Sequence, residues 1–282
     1  IVLDVVEELK QSDFRPLDFE LDFSPGGDVE PMALDLNGDE VRVIGKVDRV
    51  DGYIRDGALY LRVVDYKSGK KKFSLTDLWN GLSMQMLIYL FTLEKAGLKR
   101  YQALDGGVRA VLPAGVLYVP AREGYVDALP SDGEAVIARL RERETRRSGL
   151  VLNDSNIISA MEHALHPEEG KSVSGRYIPV SFDRQGEVSA ASSMASLRQF
   201  AKLRERIERL VRGMAEEVLA GGMEATPYRA GDGRCPCDWC DYKYACQFDE
   251  SVPRDQKRWL YTIAREEFWK RLGETGEGEE HV

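Results

Sequence analysis

The stretch Leu17-Asp18-Phe19-Glu20-Leu21-Asp22-Phe23 alternates apolar and acidic residues without a break. This is the period of a half-buried strand, with Leu17, Phe19, Leu21 and Phe23 on its apolar face. Ser24-Pro25-Gly26-Gly27 ends it. A second strand is predicted over Val41–Asp48, with Asp51-Gly52 and Asp56-Gly57 marking the turn, and a third over Ala58–Asp65. The last two are expected to pair as an antiparallel hairpin. After the basic loop Ser68–Lys72 the periodicity becomes helical over about residues 75–96, with Gly97 as the expected stop. Gly115–Val119 reads as another strand. Helices are expected near 132–147, 154–164, 194–220 and 254–272, the first of them charged, with irregular Gly/Ser-rich links between 121 and 190. Strands intermixed with helices give an α/β or α+β class with a mixed sheet flanked by helices.

Two carboxylates close the predicted hairpin strands. Asp48 ends Gly45-Lys46-Val47-Asp48, and Asp65 ends its strand immediately before Tyr66-Lys67. Strand periodicity places Asp65 and Lys67 on one face and Tyr66 on the other. Two carboxylates at neighbouring strand ends make a hard oxygen site suited to Mg²⁺ or Mn²⁺. A lysine beside them can orient a water molecule or stabilise developing charge. An isolated D-x-K triplet is weak evidence, since turn-flanking Asp48, Asp51 and Asp65 with a solvated Lys67 would look the same. Asp65, however, follows an apolar strand, where an unpaired carboxylate is costly. Gln85 and Tyr89 fall four residues apart on the predicted helix, in line with Leu78 and Leu82, and a polar Gln on that stripe requires a partner.

Four cysteines lie in twelve residues, Cys235, Cys237, Cys240 and Cys246, as C-x-C-x2-C-x5-C. Clustering of this kind points to metal binding in a reducing compartment, the cytoplasm, and not to a disulfide framework. Zinc and iron–sulfur remain open on spacing alone.

The set Gly45–Asp51, Val63–Gly69 and Gly81–Tyr89 resembles the RecB-type branch of the PD-(D/E)xK nucleases. Pro113–Tyr118, Ser148–Leu152 and the cysteine segment extend the similarity, in order, to the nuclease domain of the AddB/RexB subunits of bacterial helicase–nucleases. The resemblance implies a restriction-endonuclease-like sheet, metal ligation by Asp48 and Asp65, a catalytic Lys67, and support from Gln85 and Tyr89. It places Glu20 behind the metal ligands, although a surface strand position explains Glu20 equally well. It further implies exonuclease action on single strands from an unwound duplex, an AddA-type partner, and recombinational repair of double-strand breaks. For the cysteines it implies a [4Fe–4S] cluster on Cys237, Cys240 and Cys246 with a ligand from far upstream, Cys235 being the local substitute. The same branch carries a metal-binding histidine before the sheet. His163, His166 and His281 all lie downstream, so that ligand is expected in chain preceding residue 1. The implied division is a nuclease domain over 1–233, a cysteine segment over 234–250, a helix over 251–272 and a disordered tail over 273–282. A stand-alone iron–sulfur nuclease and a silent DNA-binding scaffold are the alternative readings.

Composition narrows this only slightly. With 43% apolar residues among 282 a substantial core is available, and no apolar run is long enough to span a bilayer. The start has no initiator Met and no leader signature, and reads as part of a longer protein. A net charge of −9 excludes a protein that coats nucleic acid by charge alone, but not an enzyme acting on it. Lys70, Lys71 and Lys72 are candidates for phosphate contact. Arg141, Arg143, Arg146 and Arg147, interleaved with Glu142 and Glu144, read as a salt-bridged exposed helix. Trp239, Tyr242 and Tyr244 are expected to pack around the cysteine knot. No P-loop sequence occurs in this chain.

Overall fold

Alternation becomes a six-stranded mixed sheet in the computed structural model, which describes residues 2–69, 71–104, 107–121, 126–129, 131–252 and 255–274. A helix, α1 (Val2–Lys10), precedes β1 (Arg15–Asp22), and a two-stranded ribbon, β2 (Met32–Leu36) and β3 (Asp39–Val43), follows. The hairpin β4 (Lys46–Arg55) and β5 (Ala58–Lys67) leads to α2 (Leu75–Trp79), α3 (Gln85–Tyr101) and β6 (Ala110–Pro120). Next come α4 (Glu134–Glu144), β7 (Ser148–Leu152), α5 (Ser155–Met161), the short β8 (Val173–Ser174) and β9 (Ser181–Phe182), and β10 (Met194–Ala195). The remainder holds α6 (Leu197–Leu219), β11 (Tyr228–Arg229), α7 (Lys243–Cys246), β12 (Arg258–Trp259) and α8 (Arg265–Glu274).

The sheet runs β1-β4-β5-β6-β7-β10, with β5/β6 and β7/β10 parallel and the other neighbours antiparallel. It lies in the first of two compact units, formed by residues up to Leu34, Arg42–Phe73 and Gln85–Arg204. Leu87, Leu90 and Leu93 of α3 are buried beside Leu61, Val63 and Val116 of the central strands. Each such side chain contributes about 1.5–3 kcal/mol by leaving water. The β5/β6 register shifts at Leu61/Arg62, opposite Pro113-Ala114-Gly115, where proline lacks the ladder N–H. Gly115 has φ 151° and a Cβ there would sit 2.5 Å from the Leu150 carbonyl, so no other residue fits. Past the shift, Asp65 pairs with Tyr118 and Lys67 with Pro120.

The second unit comprises Asp35–Val41, Ser74–Met84 and the chain from Glu205 onward. Here Trp79 meets Phe268 edge-on at 5.9 Å, and the Arg206 guanidinium lies 3.9 Å from the Trp79 ring. Asn80 clamps Tyr261 through both amide groups, accepting its N–H and donating to its carbonyl.

Several local expectations change. The long helix breaks into α2 and α3 because Asn80-Gly81, at φ 77° for Gly81, ends the first piece as a helix C-terminus. Gly97 lies inside α3, and Leu78 and Leu82 do not share a helix face with Gln85 and Tyr89. The second strand is interrupted at Ile44-Gly45, so Asp48 lies near the start of β4 and does not close a strand. Asp51-Gly52 is mid-strand; the turn is Asp56-Gly57 alone. Phe19 is 66% exposed, because Glu20 takes φ 52° and interrupts the pleat. The last helix begins only at Arg265. The sequence reading also gave no expectation of α1, of β2, or of the strand character of Ser148–Leu152.

Candidate active site

The β4–β5 hairpin brings the first two predicted residues together. Arg49 pairs with Val64, so the next step outward sets Asp48 opposite Asp65. Residues directly opposite on antiparallel strands share a face. The Asp48 carboxylate accepts the backbone N–H of Tyr66 at 2.7 Å, which ties it to the strand carrying the D-x-K triplet. The Lys67 ammonium lies 2.6 Å from Asp65 Oδ2. The Asp65 side chain is 14% exposed, and burial raises its proton affinity. Lys67 opposes that shift and the nearby charge of Asp48 adds to it.

Gln85 and Tyr89 are bonded to each other, and Tyr89 reaches the backbone that leads into β4. Gln85 donates to the Tyr89 hydroxyl at 2.9 Å, and the buried Tyr89 ring stacks on Phe23 at 5.0 Å. A Cβ at Gly45 would lie 1.9 Å from that hydroxyl, so Gly45 permits the tyrosine to reach the backbone three residues before Asp48. The Gly45 carbonyl also accepts the Phe23 N–H at 2.8 Å. Thus α3 and Phe23, the residue after β1, together hold the entry to β4. Glu20, across from Asp48 on β1, pairs with Lys46 at 3.0 Å and is 65% exposed.

On the other face, the residues flanking the site join a buried charge cluster that sequence reading missed. Arg49 donates to the Tyr66 hydroxyl at 2.5 Å and lies 2.9 Å from Asp51. Arg62 bonds Asp51 at 2.8 Å and Glu8 of α1 at 2.9 Å. Arg147 bonds Glu8 at 3.1 Å and Asp4 at 2.5 Å. Three arginines thus face three acids. Glu8, Arg49, Asp51, Arg62 and Arg147 are all at most 4% exposed. Arg147 therefore does not belong to an exposed salt-bridged helix. The available signal was charge inside strand periodicity: Arg49, Asp51 and Tyr66 alternate onto the face opposite Asp48, Asp65 and Lys67.

Among the described residues no group of three or more His, Cys, Asp or Glu side chains forms a closed ligand set. Mg²⁺ does not need one, since it is commonly held by one or two carboxylates with water and substrate oxygens. The donor chemistry of Asp48 and Asp65 therefore fits a divalent cation. Helix α1 carries no histidine, His163 pairs with Asp13 at 3.0 Å, and His281 lies outside the described residues, as do Lys70 and most of the tail. The cysteines are gathered on one segment but not into a cage: Cys235 is buried, Cys237 intermediate, Cys240 and Cys246 exposed. Burial and a hydrogen bond with Cys235 raise the Cys237 thiol. Trp239, Tyr242 and Tyr244 are exposed and do not surround a knot.

The profile of the PD-(D/E)XK nuclease superfamily matches residues 2–247. This chain belongs to the PD-(D/E)XK nuclease superfamily. Asp65-Tyr66-Lys67 has the residue spacing of that name's (D/E)XK element and closes β5 of the mixed sheet. The chain is also similar to proteins named as one of the subunits of an ATP-dependent helicase/deoxyribonuclease. Identity is 31% to that of Ruminiclostridium cellulolyticum, over 96% of this chain and 22% of the relative. It is 32% to that of Clostridioides difficile, over 95% and 22%, and 34% to that of Clostridium botulinum, over 94% and 22%. This PD-(D/E)XK chain thus spans about a fifth of the length of these relatives. No described helix is long and apolar enough to cross a membrane.

Proposed function

We propose that this chain is the nuclease domain of an AddB-type helicase/deoxyribonuclease subunit, hydrolysing phosphodiester bonds in DNA. The observation that carries the reading is Asp48 and Asp65 opposed on one sheet face with the Lys67 ammonium 2.6 Å from Asp65. Asp48 and Asp65 are the ligands for Mg²⁺ or Mn²⁺. When bound, such an ion polarises the phosphodiester and acidifies a water molecule. Lys67 orients the attacking water and offsets charge on the phosphoryl oxygens. The Tyr66 N–H holds the Asp48 carboxylate in place, and Gln85 and Tyr89 fix the backbone that delivers it. Glu20 acts behind the site through Lys46.

The full-length protein works with an AddA-type helicase–nuclease in the cytoplasm, digesting a single strand exonucleolytically as broken ends are prepared for recombination. The relatives' names and their much greater length support this. In that longer chain Cys237, Cys240 and Cys246, with an upstream thiolate or Cys235, are the ligands of an iron–sulfur cluster. The thiols fit such a centre in chemistry but are not arranged as a cage here, so no step of the reaction is assigned to it.

The test is cleavage of end-labelled single-stranded DNA in Mg²⁺ or Mn²⁺ by this chain and by Lys67→Ala. Metal-dependent cutting, lowered on the order of 10²–10⁴-fold in the variant, supports the assignment. Cutting that is unchanged in the variant, or DNA binding without cutting in the full-length protein, contradicts it.

A further inference from the structure

Beyond the catalytic carboxylates, a groove of about 690 Å³ opens at the end of the central strands. This is within the range of roughly 300–1,000 Å³ usual for ligand sites. Pro120, on its wall, pairs with Lys67 at the β5/β6 ladder, and the Lys67 carbonyl accepts the N–H of Ala121. From Lys67 the chain continues through Lys71 and Lys72 to Phe73, whose N–H bonds Ser148 Oγ at 2.7 Å. That bond ties Phe73 to the start of β7, just after α4 and the following turn, whose Arg143 and Arg146 line the groove. Apart from Arg147, which is committed to Asp4 and Glu8, four basic side chains line the groove against two acidic ones, Asp127 and Glu144, in a chain whose net charge is −9. Lys72, Arg143 and Arg146 are exposed and make no ion pair among the described residues. Lys71 is near enough to Asp65 for its charge to act on that carboxyl. Phe73 and Leu140 add an apolar lining.

We infer that this groove seats one DNA strand, its phosphates against Lys71, Lys72, Arg143 and Arg146, and feeds it to Lys67. The inference rests on the nuclease reading above for the nature of the ligand. Basic residues attract phosphate, whereas the apolar lining with an aromatic ring suits unpaired bases, which a duplex keeps stacked inside. Its place distinguishes this groove from a solvated basic surface: Pro120 on its wall is the ladder partner of Lys67. Two segments that read from sequence as a loop and an exposed charged helix thereby form one site.

The experiment is fluorescence anisotropy of fluorescein-labelled oligothymidylate in EDTA, across a salt series, with cleavage in Mn²⁺ scored in parallel. The proteins are this chain, Lys72→Ala/Arg143→Ala/Arg146→Ala, and a charge-matched control, Lys10→Ala/Lys171→Ala/Arg184→Ala, at positions distant in sequence from the groove. The groove variant is expected to bind at least about tenfold more weakly, with the salt slope smaller in magnitude by about 2, from ~0.7 per phosphate contact on a single strand. Its kcat/KM falls through KM. Equal weakening in both triple variants, unchanged binding in the groove variant, or no binding by the parent chain overturns the proposal. Parent cutting together with an unaffected groove variant refutes the groove alone. Binding that depends on the groove, with no cutting by the full-length protein, refutes the nuclease reading and leaves the groove in place.

Discussion

Replacing Glu8 by glutamine removes one charge from the buried cluster while keeping its shape. The Glu8 side chain is fully buried and bonds Arg49, Arg62 and Arg147 at 3.3, 2.9 and 3.1 Å. In the parent, Glu8 and Asp51 are shared among the three arginines, together with Asp4, which also pairs with Arg176 at 2.9 Å. In the variant the three guanidinium groups are left with Asp51 and a shared Asp4, and Arg49 and Arg62 stay buried. Breaking such a buried pairing costs about 3–5 kcal/mol, because a desolvated charge is left uncompensated. For a unit of this size that corresponds to a fall in melting temperature on the order of 10 °C. The exposed pair Lys10–Glu7 is the internal comparison, with side chains 64% and 52% exposed. Glu7→Gln is expected to cost less than about 1 kcal/mol, as solvent screening dictates. Urea unfolding followed by fluorescence, with thermal melts alongside, measures both. A Glu8→Gln loss no larger than that of Glu7→Gln would refute the view that this cluster anchors the sheet behind the active site.

Other outcomes follow from the same geometry. Gly45→Ala drives a methyl group into the Tyr89 hydroxyl and is expected to destabilise by about 1–3 kcal/mol and to lower kcat. Adding Tyr89→Phe should recover part of that loss, read as a positive coupling in a double-mutant cycle. Tyr66→Phe deletes the hydroxyl that Arg49 holds at 2.5 Å, and should lower kcat more than it raises KM, since no substrate contact is removed. Burial raises the Glu162 carboxyl, although the N–H groups of Arg176, Tyr177 and Ile178 oppose the shift. With its folded pKa above the unfolded one, its ionisation weakens folding as pH rises through that window. Carboxyl NMR should place its midpoint above that of an ordinary glutamate, and a midpoint at or below it would contradict the burial.

The sheet and the site were legible where one-dimensional periodicity governs them. The strand carrying Val63, Val64 and Asp65, the hairpin before it, and the facing of Asp65 and Lys67 all follow from a two-residue repeat. What escaped was set by tertiary context. Asn80-Gly81 stops a helix, yet the apolar spacing continues across it and conceals the break. Glu20 adopts a positive φ that no sequence pattern announces, so Phe19 points outward. Arg49, Asp51 and Arg62 look like surface charges until Glu8, some forty residues earlier, arrives to pair with them. The basic groove needed Lys72 and Arg143 to be brought together by the Phe73–Ser148 bond, a contact invisible in sequence.

The central claim is that Asp48 and Asp65 form one divalent-cation site. Electron paramagnetic resonance of Mn²⁺ titrated into this chain, into Asp48→Asn and into Asp65→Asn tests it most directly. The account predicts bound Mn²⁺ in the parent, displaced by Mg²⁺, and its loss in each variant alone. Binding that survives in both variants would contradict it.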